Sequence, residues 1–209
     1  MAETSKGEFE WQDSGARCST GYLVGPVLET LRTSGVRRIL DLGCGNGALS
    51  AIIAAAGFEV CGLDASETGI SQAAAQHPGL DFIVHDIGQP LPESHRGRFD
   101  AVVSTEVIEH LFLPRQLMDR AREALVDRGL LLVSTPYHGY LKNVALSLAN
   151  KWDFHADPLY DFGHIKFFSR KTLTRLFEES GFDDIRFRAI GRIPALAKSM
   201  IVSGRKHRG

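Results

Sequence analysis

Residues 41–47 read Asp-Leu-Gly-Cys-Gly-Asn-Gly; they complete a short apolar run, residues 39–42, and open an Ala-rich stretch that begins at Ala48. Glycines at this spacing belong where a chain leaves a strand, turns sharply and starts a helix, because a ligand can touch backbone there only if no Cβ stands in the way. The spacing also discriminates between ligands. A dinucleotide site uses G-x-G-x-x-G with a helix N-terminus facing a pyrophosphate, whereas these glycines run G-x-G-x-G behind Asp41. An acidic lead-in suits a cationic ligand.

Outward from this loop, short β-branched or Leu-rich runs alternate with longer helical patterns, the rhythm of a parallel sheet covered by helices. The runs at 39–42, 60–63, 82–85, 101–104 and 130–134 predict strands, and 48–56, 67–76 and 115–126 predict helices. After Arg170 the pattern changes: 171–180 is amphipathic, Gly181 can cap it, and strand-like runs follow at 185–190 and 199–202. The expected architecture is α/β, a Rossmann-like, doubly wound, mostly parallel seven-stranded sheet with a C-terminal antiparallel hairpin, in one domain over residues 1–209.

Two stretches fall outside the alternation. Residues 1–36 are expected to form an arm and a helix that Gly35 stops before the first strand. Residues 136–163 are long for a connection inside a domain and contain Tyr137, Tyr140, Trp152, Phe154, Tyr160 and Phe162, with His138 and His155 among them. These aromatics serve either as an acceptor wall or as ordinary packing. Residues 141–149 have apolar side chains at helical spacing, and the missing basic face favours a substrate cap over a membrane-surface contact.

Composition bounds the partners. The 209 residues are 44% hydrophobic and 23% charged, with net charge -1, so the chain has a core to bury and no global attraction to nucleic acid or acidic lipid. Cys18, Cys44 and Cys61 are odd in number and lack metal-ligand spacing, which points to a reducing compartment without structural zinc. Glu3, Glu8 and Glu10 stand where a secretion signal needs a basic start, and the longest apolar run, 51–56, is far too short to span a bilayer. The expected compartment is the cytoplasm.

Asp64 lies 17 positions beyond Gly47, near the distance at which a nucleotide-binding βαβ unit sets a carboxylate on ribose hydroxyls. Its bland alternative is an N-cap for the next helix, a task Ser66 performs equally well. Glu106, Glu109 and His110 follow the fourth strand, where strand ends face the ligand crevice. Two carboxylates and an imidazole bind a divalent ion or act as general bases; alternatively Glu109 complements the helix that follows and His110 packs beside it.

Together these motifs resemble the class I S-adenosylmethionine-dependent methyltransferases, over nearly the whole of residues 36–202. The resemblance implies a cofactor site built from Asp41, Gly43, Cys44, Gly45, Asn46, Gly47, Asp64 and Glu106, with Asp86 and Ile87 bordering the adenine. Glu-x-x-Glu-His at 106–110 is similar to the ubiquinone-biosynthesis O-methyltransferases and to the small-RNA 3′-end 2′-O-methyltransferases, in which glutamates and histidines hold a divalent ion such as magnesium beside the acceptor. The RNA enzymes have a further histidine in a His-x-x-x-aromatic-Thr-Arg context. His164-Ile165-Lys166-Phe167-Phe168-Ser169-Arg170 is similar, with serine for threonine, and makes His164 the fourth candidate; His138 and His155 stand close behind it.

The expectation is a methyltransferase acting on a small-molecule hydroxyl, with Glu106, Glu109, His110 and His164 as catalytic groups and metal ligands. A nitrogen acceptor, needing only a histidine or glutamate base, is the nearest alternative. RNA is disfavoured because the basic residues Arg205, Lys206 and Arg208 form only a short tail. A nicotinamide oxidoreductase conflicts with the glycine spacing, and a non-catalytic S-adenosylmethionine-binding subunit conflicts with the retained polar groups after the fourth strand.

Overall fold

The computed structural model describes residues 20–155, 159, 163–191, 193 and 196–208. Five apolar runs become parallel strands, β1 (Arg38–Leu42), β2 (Glu59–Asp64), β3 (Asp81–Val84), β4 (Phe99–Thr105) and β5 (Leu125–Pro136). Two more, β6 (Phe182–Ile190) and β7 (Ser199–Lys206), complete one seven-stranded sheet of order β3-β2-β1-β4-β5-β7-β6. Because β7 pairs antiparallel with both β5 and β6, it alone opposes the other six strands. The expected antiparallel hairpin is thus present, folded so that its second strand lies inside the first.

Helices cover both faces, and β1 shows why. Leu40 and Leu42 pack against Leu117, Met118 and Ala121 of α4 (Pro114–Ala124) and Leu173 and Phe177 of α7 (Arg170–Glu179). The alternate residue Ile39 packs against Leu23, Val27 and Leu31 of α1 (Thr20–Thr33) and Leu49 and Ile53 of α2 (Ala48–Ala55). A parallel strand covered on both sides must be apolar on both, so its sequence is a continuous run rather than an alternation. β6, at the edge, does alternate along Phe182–Ile190, with one face left to solvent.

The remaining helices are α3 (Glu67–Gln76), α5 (Tyr140–Leu148) and α6 (Trp152–His155). One boundary differs from expectation: α4 stops at Ala124 and β5 begins at Leu125, five residues before the run at 130–134. Leu125 already pairs with Phe99, but the register then shifts before Ala101 meets Leu130, and Arg128 takes φ 61° within the irregular start. Residues 1–19, which include Cys18, lie outside the description, as do Tyr160, Phe162 and the side chains of Phe154 and His155. No helix among the described residues is long and apolar enough to cross a membrane.

Candidate active site

At the carboxyl end of β1 the glycine loop is fastened to β2 before it opens α2. Leu63 O accepts from Gly43 N (2.7 Å) and Cys44 N (3.0 Å). Asp64 receives the Gly45 N–H on Oδ2 and the Ser66 N–H on Oδ1, each at 2.8 Å. The N-cap of α3 is Ser66, whose Oγ accepts from Gly69 N at 3.1 Å. Asp64 is therefore a loop brace, and each of its oxygens has a second lone pair to offer. Burial raises its carboxyl above the ordinary range, and the two N–H donors pull against that.

Two glycines have no substitute. Gly43 takes φ 84°, and a Cβ there would stand 2.5 Å from Val107 Cγ2; Gly47 takes φ 76°, with Ala73 Cβ and Phe82 Cζ both at 2.8 Å from any Cβ. The first is pressed onto the exit of β4, the second onto α3 and β3. Asp41 lies beneath the loop: it is 1% exposed, and its Oδ2 accepts from Ser50 Oγ of α2 at 2.6 Å. Burial lifts its carboxyl to about 7, the Ser50 bond offsets part of this, and the Asp64 charge adds to it. Cys44 and Asn46 are buried in the loop, Ile87 is buried beyond β3, and Asp86 is exposed, accepting from Gly88 N at 2.8 Å.

After β4, Ile108–His110 form a short 3₁₀ turn. Glu109 O accepts from Ile165 N (2.9 Å) and Lys166 N (3.0 Å), so this turn is stapled to the segment that carries His164. The histidine rings meet edge to face at a centroid distance of 5.0 Å. His110 Nδ1 lies 3.2 Å from Gly163 O, and a neutral imidazole donating there carries its lone pair on Nε2, the atom 4.0 Å from Glu109 Oε1. Glu109, His110 and His164 each offer a ligand atom within 4.8 Å of the others. Burial grades outward across them, from buried Glu109 through half-buried His110 to exposed His164.

Glu109 is the anomaly. Its side chain is fully buried, yet neither oxygen has a hydrogen-bond partner of normal geometry. A buried carboxylate left so costs several kcal/mol, about the range expected for an unpaired ionised group. Burial drives its carboxyl well above the usual range and the Glu106 charge pushes further the same way, while its own backbone N–H and the neighbouring Thr135 hydroxyl pull against them. An orphaned buried carboxylate beside two imidazoles, one oriented by a backbone carbonyl, fits a divalent ion.

Glu106 stands apart from that group. It takes φ 55°, a strained conformation for a residue with a side chain, fixed by bonds from its N–H to Ser134 O (3.1 Å) and Ser134 Oγ (3.2 Å). Its Oε1 accepts from Ser134 Oγ at 2.8 Å and its Oε2 from Ser199 Oγ at 3.3 Å. Burial raises its carboxyl, while Ser134, Ser199 and the Lys142 charge oppose the rise. These three partners were absent from the sequence expectation. Their signal was slight: Ser134 and Thr135 are polar residues ending an otherwise apolar strand, and Ser199 is the residue the β7 register sets opposite Pro136.

The other candidates separate. His138 is buried, its ring 4.9 Å from Phe167 and 6.4 Å from Trp152, and is absent from the Glu109 group. Tyr137 packs on the core beside Phe187, whereas Tyr140 is 80% exposed, so the described aromatics do not form one wall. None of the residues of α5 is buried.

A family model described as "Methyltransferase domain" matches residues 12–186. A ubiquinone biosynthesis O-methyltransferase of Caulobacter sp. strain K31 is 37% identical over 113 residues, covering 53% of this chain and 44% of that protein. The enzyme of the same name from Cereibacter sphaeroides is 31% identical over 151 residues, covering 71% of this chain and 61% of the other. The chain thus spans about half the length of these curated relatives. In structure, the magnesium protoporphyrin IX methyltransferase of Synechocystis PCC 6803, solved with S-adenosylhomocysteine, superposes with TM-score 0.67 at 21% identity, covering 88% of this chain and 82% of that one. The chain belongs to the methyltransferase-domain family and has the class I methyltransferase fold.

Proposed function

We propose that this protein transfers the methyl group of S-adenosylmethionine to a hydroxyl of a small molecule, with a divalent ion held by Glu109, His110 and His164. The observation that carries the reading is the bare, buried Glu109 carboxylate beside two imidazoles at the carboxyl end of β4. In this reading the loop from Gly43 to Gly47 cradles the cofactor's methionine part and Asp64 accepts the ribose hydroxyls while it braces Gly45 and Ser66. Asp86 and Ile87 border the adenine, and buried Asp41 contributes negative potential beneath the cationic sulfonium. The relatives named O-methyltransferases favour oxygen over nitrogen as acceptor.

Transfer breaks the carbon–sulfur bond and forms a carbon–oxygen bond, and the sulfur leaves as a neutral thioether, so no general acid is needed. The protein must place the acceptor in line with the methyl group and provide for its proton. Bound there, a divalent ion would lower the hydroxyl's pKa and orient it. Glu106, the second carboxylate at this strand exit and supported by two hydroxyls, either takes the proton or moves to join the ion. In this reading the acceptor enters past the exposed His164, on the side of the inserted segment.

Labelled S-adenosylmethionine incubated with the protein and a small-metabolite extract tests this. Label should pass to a hydroxyl compound, stop with chelator and return with magnesium or manganese. Transfer that ignores chelation would replace the ion with a glutamate or histidine base. Transfer to amines would make the acceptor nitrogen, and cofactor binding without transfer to metabolites or RNA would favour a non-catalytic subunit.

A further inference from the structure

Two hydroxyls meet Glu106, and a third, from another element, stands behind one of them. Ser134 of β5 and Ser199 of β7 each donate to one carboxylate oxygen, at 2.8 and 3.3 Å. Tyr22 of α1 brings its hydroxyl within 3.3 Å of Ser199 Oγ, across 177 positions of sequence. The direction of this chain follows from chemistry. A serine has one proton and an ionised carboxylate only accepts, so when Ser199 donates to Glu106 its oxygen is left to accept and Tyr22 must donate. Hydrogen bonds aligned in series reinforce one another.

The surroundings hold the carboxylate on the same side. Lys142 of α5 donates to Lys198 O at 3.3 Å and sets its charge near Glu106. Lys198 in turn places its ammonium 5.5 Å from the centre of the Tyr22 ring. Glu106 is thus provided with donors, while Glu109, three residues on, has no hydrogen bond of normal geometry to its carboxyl and lies with the two histidines. The two carboxylates have separate environments although the chain sets them at the same strand exit.

We infer that Ser199 and Tyr22 are positioning residues for Glu106: their hydroxyls, in series, hold its carboxylate on the β5–β7 side and set how readily it joins Glu109, His110 and His164 around a divalent ion. The inference rests on the ion-binding reading given above. In this reading Glu106 leaves the Ser199 bond when it joins the cluster, and a ligand whose competent conformation is a minor one binds more weakly in proportion to that population. The docking of α1 on the sheet, through Leu23, Val27 and Leu31, thereby reaches the acceptor site.

The test is calorimetric titration of manganese into the full chain saturated with S-adenosylhomocysteine, comparing wild type with Ser199→Ala, Ser199→Thr, Tyr22→Phe and Glu109→Gln. Ser199→Ala should bind manganese about tenfold more tightly, the scale of one hydrogen bond to a charged group. Tyr22→Phe, which keeps the ring and its packing, should bind a few-fold more tightly, and Ser199→Thr should match wild type. Equal or weaker manganese binding by both Ser199→Ala and Tyr22→Phe overturns the inference. If Glu109→Gln alone loses manganese, the ion-binding reading stands without it; if wild type and every variant ignore manganese, both fall. Should Ser199→Ala fail to fold by circular dichroism, Tyr22→Phe decides the matter.

Discussion

A Cβ on Gly43 would stand 2.5 Å from Cγ2 of Val107, so the glycine loop and the exit of β4 meet without room for one methyl group. Two halves of the candidate site, the cofactor loop and the chain leading into the turn that bears Glu109, are therefore packed tightly against each other here.

Gly43→Ala should destabilise the fold by about 2 kcal/mol, from overpacking and a positive φ together. It should also weaken S-adenosylhomocysteine binding. Adding Val107→Ala should recover part of both losses, because it removes the clashing methyls; urea melts and calorimetry on the two single variants and the double would show this coupling. Additive losses would place the strain elsewhere.

Asp64→Ala should weaken cofactor binding by about 1–3 kcal/mol, since it leaves ligand hydroxyls unpaired and releases the braces on Gly45 and Ser66. Asp64→Asn, which keeps one acceptor oxygen, should lose less. Unchanged affinity in both variants would remove Asp64 from the ribose site.

Asp41 predicts a pH dependence of defined sign. Its carboxyl sits at about 7 in the fold against an ordinary 3.8, so the native state binds the proton more tightly than the unfolded chain. Its stabilising contribution is fully present below about pH 4 and is lost as the pH rises through 7, with a slope of at most about 1.4 kcal/mol per unit. Urea melts at pH 5 and pH 7 should show wild type losing about 2 kcal/mol relative to Asp41→Asn over that interval. A gap that stays constant or moves the other way would contradict the burial account.

The sheet was legible because its five leading strands are short apolar runs that stood between glycines and helical patterns, and the last two were marked by the change of pattern after Arg170. Asp64, Glu109 and His110 stood out as candidates by their places after strand ends, and His164 by the resemblance of residues 164–170 to a family motif. What escaped was set by tertiary pairing. Ser199 reaches Glu106 only because β7 inserts beside β5, and Tyr22 reaches Ser199 only because α1 packs on that face. The expectation that Glu106 shares the Glu109 group could not foresee these partners, since nothing in Glu-x-x-Glu-His fixes where a side chain points after a left-handed residue. The early start of β5 was hidden because Leu125 and Val126 also continue the helical spacing of α4.

The exposed surface of α5 carries a prediction of its own. Tyr140, Leu141 and Leu148 are 80%, 56% and 84% exposed, so the helix gains little from burial and its amides should exchange readily in the free protein. Hydrogen exchange with and without cofactor and acceptor should show protection rising across residues 140–151 when both are bound. Equal protection in the two states would remove α5 from the acceptor site.

The most direct measurement needs no knowledge of the acceptor: calorimetric titration of the purified chain with S-adenosylmethionine, S-adenosylhomocysteine and, separately, NAD. The glycine spacing, the Asp64 brace and the exit of β4 predict one site for either sulfur cofactor and no heat from NAD. Saturable NAD binding, with neither sulfur compound bound, would contradict the account.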